Sequence, residues 1–262
     1  MQALRTAATG MAAQQLNVEV ISNNIANMNT VGFKRQSAVF EDLLYQTQEQ
    51  PGVQSSDQGN VVPTGVQVGA GVKAGSVYRI TGQGTLTNTG NTFDLAINGP
   101  GYFQVLLPSG ETAYTRAGNF SVNAQGQLVT ADGYLAQPTI TIPQNSTNVT
   151  VSQQGQVQVT TPGNPTPTVV GQIQIATFLN DAGLDAQGND LYLESAASGP
   201  ATAANPGAPG YGVVMQGYTE ASNVDPVSEI TNLIVAQRAY EMNSKVITTA
   251  DQMLSTANNT KQ

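Results

Sequence analysis

Two segments, one at each end of this chain, repeat apolar residues every seven positions. Near the start Leu4, Met11, Val18 and Ile25 recur at that spacing, with Ala7, Gln14, Ile21 and Met28 three residues later. Near the finish Leu233, Tyr240, Ile247 and Leu254 do the same, followed by Ala236, Asn243, Ala250 and Ala257. A seven-residue apolar repeat winds one helix against another, and about four heptads are too few to hold a lone helix in water. The two ends therefore have to find each other, or further copies of themselves. The first helix is expected over about residues 3–26, ending where Asn27, Asn29, Thr30 and Gly32 favour turn and left-handed conformations. The second is expected to start with Asp225 as N-cap, Pro226 in the first turn and Glu229 near the positive end of the dipole, and to run to about Ala257.

Between the helical ends the period changes to two. Phe93, Leu95 and Ile97 alternate with polar or small residues, and Phe103, Val105 and Leu107 do so again before the Pro108-Ser109-Gly110 turn. This is strand patterning, and the fold class it implies is α+β: a mainly-β central domain with N- and C-terminal helices forming a coiled-coil-like stalk. The strings NFSVNAQGQL, starting at Asn119, and NVTVSQQGQV, starting at Asn148, share a hairpin pattern, read here as common turn chemistry around Gly126 and Gly155. Residues 46–75 are rich in Gln, Gly, Ser and Val, with Pro51 and Pro63, and read as an extended arm. Its anchors would be Val53, Val61, Val62, Val66 and Val68. Thr161 to Thr168 reads as a proline-rich connector, and Ser195 to Gly212 as a mobile surface loop. The expected organisation is 1–30 as an inner helix, 31–76 as arm, 77–222 as a β-rich outer domain, and 223–262 as the helix that pairs with 1–30.

Composition removes most chemistry. The 262 residues contain no His and no Cys, so imidazole triads, thiolate nucleophiles and zinc clusters are excluded, and with Trp absent no sugar platform is evident. Asp185 to Glu194 suggests a calcium loop but has Asp190 where the required glycine would stand. The reading is a non-enzyme without cofactor or metal. The net charge of -8 is concentrated in the β body: between Ile80 and Asp225 the one base is Arg116, against nine acids. Nucleic acid and anionic membrane are poor partners for such a surface. No run of about 18 apolar residues exists to span a bilayer, and the opening residues lack the apolar core of a secretory signal peptide. Lack of cysteine fits an exported chain.

ISNNIANMNTVGFKR, from Ile21 to Arg35, resembles the signature of the bacterial flagellar axial proteins of the rod and hook, with Asn23, Asn24, Ala26, Asn27, Asn29, Thr30, Gly32, Phe33 and Lys34 all in place. NLIVAQRAYEMNSKVITTADQML, from Asn232 to Leu254, is similar to the C-terminal counterpart, and INGPGYFQV and AYTRAGNFSVNAQGQLVTADGYLAQ to the family's β-domain. FEDLLYQTQEQPGVQSSDQG, from Phe40, is similar to the long arm of members that build the distal rod. Proximal rod and hook subunits are the alternatives within the family, and a secreted β-rich adhesin is the alternative outside it. The adhesin would account for the β body and its acidity but not for paired heptad ends.

The resemblance implies a structural subunit that assembles helically into a rigid hollow shaft transmitting motor torque. Its partners would be further copies in a helical tube, the proximal rod proteins, the hook protein and the surrounding ring bushing, without direct membrane insertion. Its place would be the basal-body rod across the periplasm, reached through the flagellar type III apparatus without a cleaved signal peptide. The expected assembly interface comprises Leu4, Met11, Val18, Ile21, Ile25, Leu233, Tyr240, Ile247 and Leu254.

Overall fold

A computed structural model of the chain describes residues 2–50 and 64–259. Among these, helix α1 spans Gln2–Ala26 and helix α2 spans Pro226–Asn259, the mainly-β remainder lying between them in sequence. The chain divides into two compact units. One comprises Met1–Ile25, Gln36–Tyr78 and Pro226–Gln262, and the other Ala26–Arg35 and Arg79–Asp225. Neither helix is long and apolar enough to cross a membrane.

In the first unit the two helices run antiparallel. Asn24 Nδ2 donates to Glu229 Oε2 at 3.2 Å, and a Cβ on Gly10 would lie 2.9 Å from Asn243 Nδ2. Stepping back from Asn24 to Gly10 along α1 covers the same number of residues as stepping forward from Glu229 to Asn243 along α2. That matched step defines the antiparallel register. Gly10 is small because Asn243 occupies the space a side chain would need.

Among the described residues, the rest of this unit is a two-stranded ribbon. Gln36–Asp42 pairs with Val72–Arg79, and Tyr45–Glu49 pairs antiparallel with Val66–Gly69. The join between them keeps the same register, through Leu43 N donating to Gly71 O at 2.8 Å and Ala70 N to Leu44 O at 3.2 Å. Val66 and Val68 belong to this ribbon and are exposed, as are Leu44 and Tyr45. The arm residues Pro51, Val53, Val61, Val62 and Pro63 lie outside the described residues.

The second unit holds a nine-stranded sheet, counted among the described residues. Its central strand, Tyr102–Leu106, has Thr112–Thr115 on one side and both Leu135–Gln137 and Ile175–Thr177 on the other. This strand is buried on both faces. Phe103 and Val105 enter the main core with Leu95, Ile97, Phe120 and Ile175, and Phe103 meets Phe120 edge-on at 5.2 Å. Tyr102 enters a second cluster with Tyr114, Leu184 and Tyr192. Alternation in the sequence marked the first face; the second was hidden because tyrosines fill it.

Three expectations are corrected here. The proline-rich stretch at Thr161–Thr168 is mostly strand: Asn164–Gln172 pairs with Gln156–Thr161 at the edge of a three-stranded sheet, where a missing N–H is tolerated. Ser195–Gly212, expected as a mobile surface loop, contains the strand Thr202–Ala204, paired with Ile175–Thr177. Ser198 within it is fully buried, accepting from Ser195 N at 2.9 Å and donating to Ser195 O at 3.0 Å. Small residues that suggested flexibility instead allow close approach. Finally, the two similar hairpins share more than a turn. Gly126 N donates to Asn123 O and Gly155 N to Ser152 O; then Gly126 O accepts from Ile142 N at 2.7 Å and Gly155 O from Ile173 N at 2.8 Å. The same turn docks against the same kind of third segment in both.

The suspected calcium loop is a hairpin in which Asp185–Gly188 pairs with Leu191–Leu193. Its two turn residues, Asn189 and Asp190, both adopt left-handed backbone with φ of 52 and 55°, as a tight hairpin turn of this length requires. Burial pushes the Asp190 carboxyl up to about 6. A raised carboxyl pKa means that ionisation opposes folding above pH 6 and ceases to matter below the unfolded value near 3.8. Asn tolerates the left-handed region as well as Asp does. Asp190→Asn is therefore expected to stabilise the unit at pH 7–8 by about 1–2 kcal/mol, after discounting for partial exposure. Urea unfolding as a function of pH checks this, and the gain should shrink to nothing as the pH falls from 6 to 4.

Candidate assembly interface

The motif that closes α1 is divided between the two units, and each part is held by polar contacts. In the first unit the Asn24 side chain binds one peptide group from both sides: its Oδ1 accepts from Gln36 N and its Nδ2 donates to Gln36 O, each at 2.8 Å. A side-chain amide matches a peptide group in this way, and Asn24 is fully buried while doing so. The same Nδ2 reaches Glu229 on α2. One asparagine thus satisfies the start of the ribbon and joins the two helices.

In the second unit the helix-end turn is formed by Thr30 N donating to Asn27 O at 3.1 Å and Thr30 Oγ1 to Asn27 Oδ1 at 3.2 Å. Gly32 follows with φ +78°, and a Cβ there would stand 2.6 Å from Ala117 N. Only glycine meets both demands. Its N–H donates to Glu220 O at 2.8 Å.

That contact leads to a buried ion triad. Lys34 Nζ lies 2.6 Å from Glu220 Oε1, and Arg116 Nη1 lies 3.2 Å from Glu220 Oε2. Lys34 also donates to Gly82 O at 3.0 Å, Arg116 Nη2 to Gly99 O at 2.9 Å, and Gly84 N to Glu220 Oε1 at 2.9 Å. The Arg116 guanidinium stacks on the Tyr102 ring. Burial holds the Lys34 ammonium below the ordinary lysine range, opposed by the pull of the adjacent Glu220 carboxylate. Two cations surround one buried carboxylate, and the half-buried Asp181 carboxylate lies near enough to be felt by both. The backbone carbonyls of Gly82 and Gly99 help to solvate the two cations. Sequence reasoning singled out Lys34 and noted Arg116 as the one base of the body, but missed Glu220, which no local pattern distinguishes from the other acids.

The residues expected at the interface occupy a graded position. Ile21 is buried; Leu4, Met11, Val18, Ile25, Leu233 and Ile247 are half-buried; Tyr240 and Leu254 are exposed. Of the motif, Asn24, Gly32 and Lys34 are buried, Asn27, Thr30 and Phe33 half-buried, and Asn23 and Asn29 exposed. Seven further large apolar side chains of α2 are exposed as well: Val227, Ile230, Ile234, Val235, Met242, Val246 and Met253.

Two terminal helices with apolar surface left over, attached in sequence to a mainly-β body, are the architecture of a structural protein and show no reactive centre among the described residues. The chain belongs to the FlgG family of flagellar basal-body rod proteins. It is 74% identical over 254 residues to the flagellar basal-body rod protein FlgG of Caulobacter vibrioides, covering 97% of each chain. It is 46% identical to the FlgG protein of Borreliella burgdorferi over 264 residues, covering 100% of this chain and 99% of the relative. The rod protein FlgF of Caulobacter vibrioides is 35% identical over 88% of this chain and 85% of its own. Family models match three segments: flagella basal body rod protein at residues 4–34, the flagellar hook protein FlgE/F/G D1 domain at 96–159, and the flagellar basal body rod FlgEFG protein C-terminal region at 215–260. The protein is a structural subunit of the distal rod and not an enzyme. The ion triad draws one residue from each matched segment: Lys34, Arg116 and Glu220.

Removing the carboxylate charge would leave two buried cations facing each other. Glu220→Gln is expected to destabilise the β unit by about 3–5 kcal/mol. Urea denaturation of the full chain, followed by near-UV circular dichroism of the tyrosines, measures it.

Proposed function

We propose that copies of this chain stack helically, with their terminal helices arranged around a central channel, to form the rigid hollow shaft that transmits motor torque to the hook. In this reading residues 1–30 and 223–262 form the inner coiled-coil layer, 31–76 the arm that lies across neighbouring copies, and 77–222 the outer domain. Leu4, Met11, Val18, Ile21, Ile25, Leu233, Tyr240, Ile247 and Leu254 are the seam at which helices meet. The proximal rod proteins, the hook protein and the ring around the rod are the neighbours. Delivery into the periplasm runs through the flagellar type III apparatus.

The observation that carries the reading is the surface of α2. Nine of its large apolar side chains are exposed among the described residues. A 34-residue helix with that much apolar area in water calls for partners, since each such side chain gains about 1.5–3 kcal/mol from full burial. The ribbon points the same way, because a two-stranded ribbon is marginal unless something covers it.

Ile247→Asp places a carboxylate on the seam, where burial costs several kcal/mol. Purified variant protein is expected to form no rods by electron microscopy, while the circular dichroism of its β body is unchanged. Normal rods would remove Ile247 from any buried contact. Replacing Tyr45–Gly69 by Asn-Gly closes the ribbon where Leu44 and Ala70 are already hydrogen-bonded. That variant is expected to polymerise into more flexible or curved structures. Straight rods of unchanged stiffness would make the ribbon a passive element.

A further inference from the structure

The apolar surface of α2 is organised in more than one stripe, and pairing with α1 uses only one of them. Glu229, Ala236 and Asn243 face α1 or are buried on that side, and Leu233 and Ile247 fall in line with them at about 100° per residue. Val235, Met242, Val246 and Met253 follow one another at spacings of seven, four and seven, so they stack into a single ridge. This ridge lies about a third of a turn round from the α1 seam, and its members are 46 to 63% exposed.

On the other flank, α1 and α2 leave a groove of about 360 Å³ between them, lined by Gln15, Val18 and Glu19 of α1 and Gln237, Tyr240 and Glu241 of α2. Gln237 and Glu241 stand about a third of a turn from the seam in the opposite direction. Ridge and groove therefore occupy opposite flanks of one helix pair. The groove has an apolar floor, Val18 and Tyr240, and two carboxylates at its rim: Glu241 is ion-paired with Arg238 at 2.9 Å, and Glu19, which accepts from Gln15 Nε2 at 3.1 Å, has no cation beside it among the ion pairs of the described residues. The ridge is apolar, with two methionines that fill irregular space well, and the exposed Lys245 borders it one turn on from Met242, on the side toward Glu241. The two surfaces complement each other in shape class and in charge.

We propose that the groove receives the Met242–Val246 part of the ridge from a second copy, with the Lys245 ammonium set against the Glu19 carboxylate. This inference rests on the helical self-assembly reading and specifies its contact. The two surfaces differ, so the contact is heterologous. Each copy is filled on one flank and offers a ridge on the other, which propagates an open array and cannot close as a two-fold dimer. The acidic rim adds direction: a ridge approached the wrong way round would not place its lysine opposite Glu19.

The chain lacks cysteine, so engineered thiols report without background. Full-length Gln237→Cys on the groove and Val246→Cys on the ridge are each expected to remain uncrosslinked alone under assembly and oxidation. Mixed in equal amounts they should give a disulfide-linked dimer, and a chain carrying both should give a covalent ladder. Lys245→Glu should raise the concentration needed for assembly about fivefold, with recovery in the Lys245→Glu/Glu19→Lys pair. Ridge-to-ridge dimers of Val246→Cys would overturn the proposal, as would preferential capture of a Leu44→Cys ribbon variant by the groove. Rods seen by electron microscopy without the mixed crosslink would also overturn it, and would leave self-assembly standing. Failure of the wild-type chain to assemble under any condition would remove both.

Discussion

The architecture of the β unit depends on one carboxylate. Glu220 accepts from Lys34, Arg116 and Gly84 through its side chain and from Gly32 through its backbone. These groups come from the turn after α1, the middle of the chain and the approach to α2. A charge buried in this way is costly unless every partner is present. The geometry that satisfies it is consequently narrow, and it specifies where the segment after α1 must sit against the body. For a subunit that carries load, such narrowness is useful: the triad favours one arrangement over many of similar compactness.

The helical unit follows the opposite logic. Its polar contacts include Asn24 with Gln36 and Glu229 at one end of α1 and Gln2 with Gln46 and Thr9 with Val72 toward the other, while much of its apolar surface is exposed. Helix α1 buries Ala7, Ala13, Val20 and Ile21, but α2 buries little beyond Ala236 and Glu229. The β body buries its main clusters within the chain, whereas the helices leave much of their apolar surface uncovered. In the assembly proposed above, neighbouring copies cover that surface.

Individual stretches show how far local patterns carry. The helix ends were legible because caps and turn formers act within a few residues, and α2 begins at Pro226 as its Asp-Pro start implies. Proline and small residues misled at Thr161–Thr168 and Ser195–Gly212, because composition reports what a segment tolerates and not what it is paired with. The ribbon was hidden for a related reason. Its paired residues lie far apart in sequence, Glu49 against Val66 at one end and Arg35 against Ile80 at the other, and much of it is too polar to show alternation.

The sequence by itself determined the two terminal helices, the β character of the body, the absence of imidazole and thiol chemistry, and the family signature. Each of these is written in periodicity, composition or contiguous motif, which need no knowledge of distant neighbours. Tertiary structure alone decided that Lys34, Arg116 and Glu220 share one buried site, that Tyr102 opens a second core on the far face of its strand, and that α2 has a ridge and a groove on opposite flanks. The first two depend on residues tens to hundreds of positions apart. The last depends on the antiparallel register set by Asn24 against Glu229 and Gly10 against Asn243, because a heptad names the face that pairs and leaves the facing partner to packing.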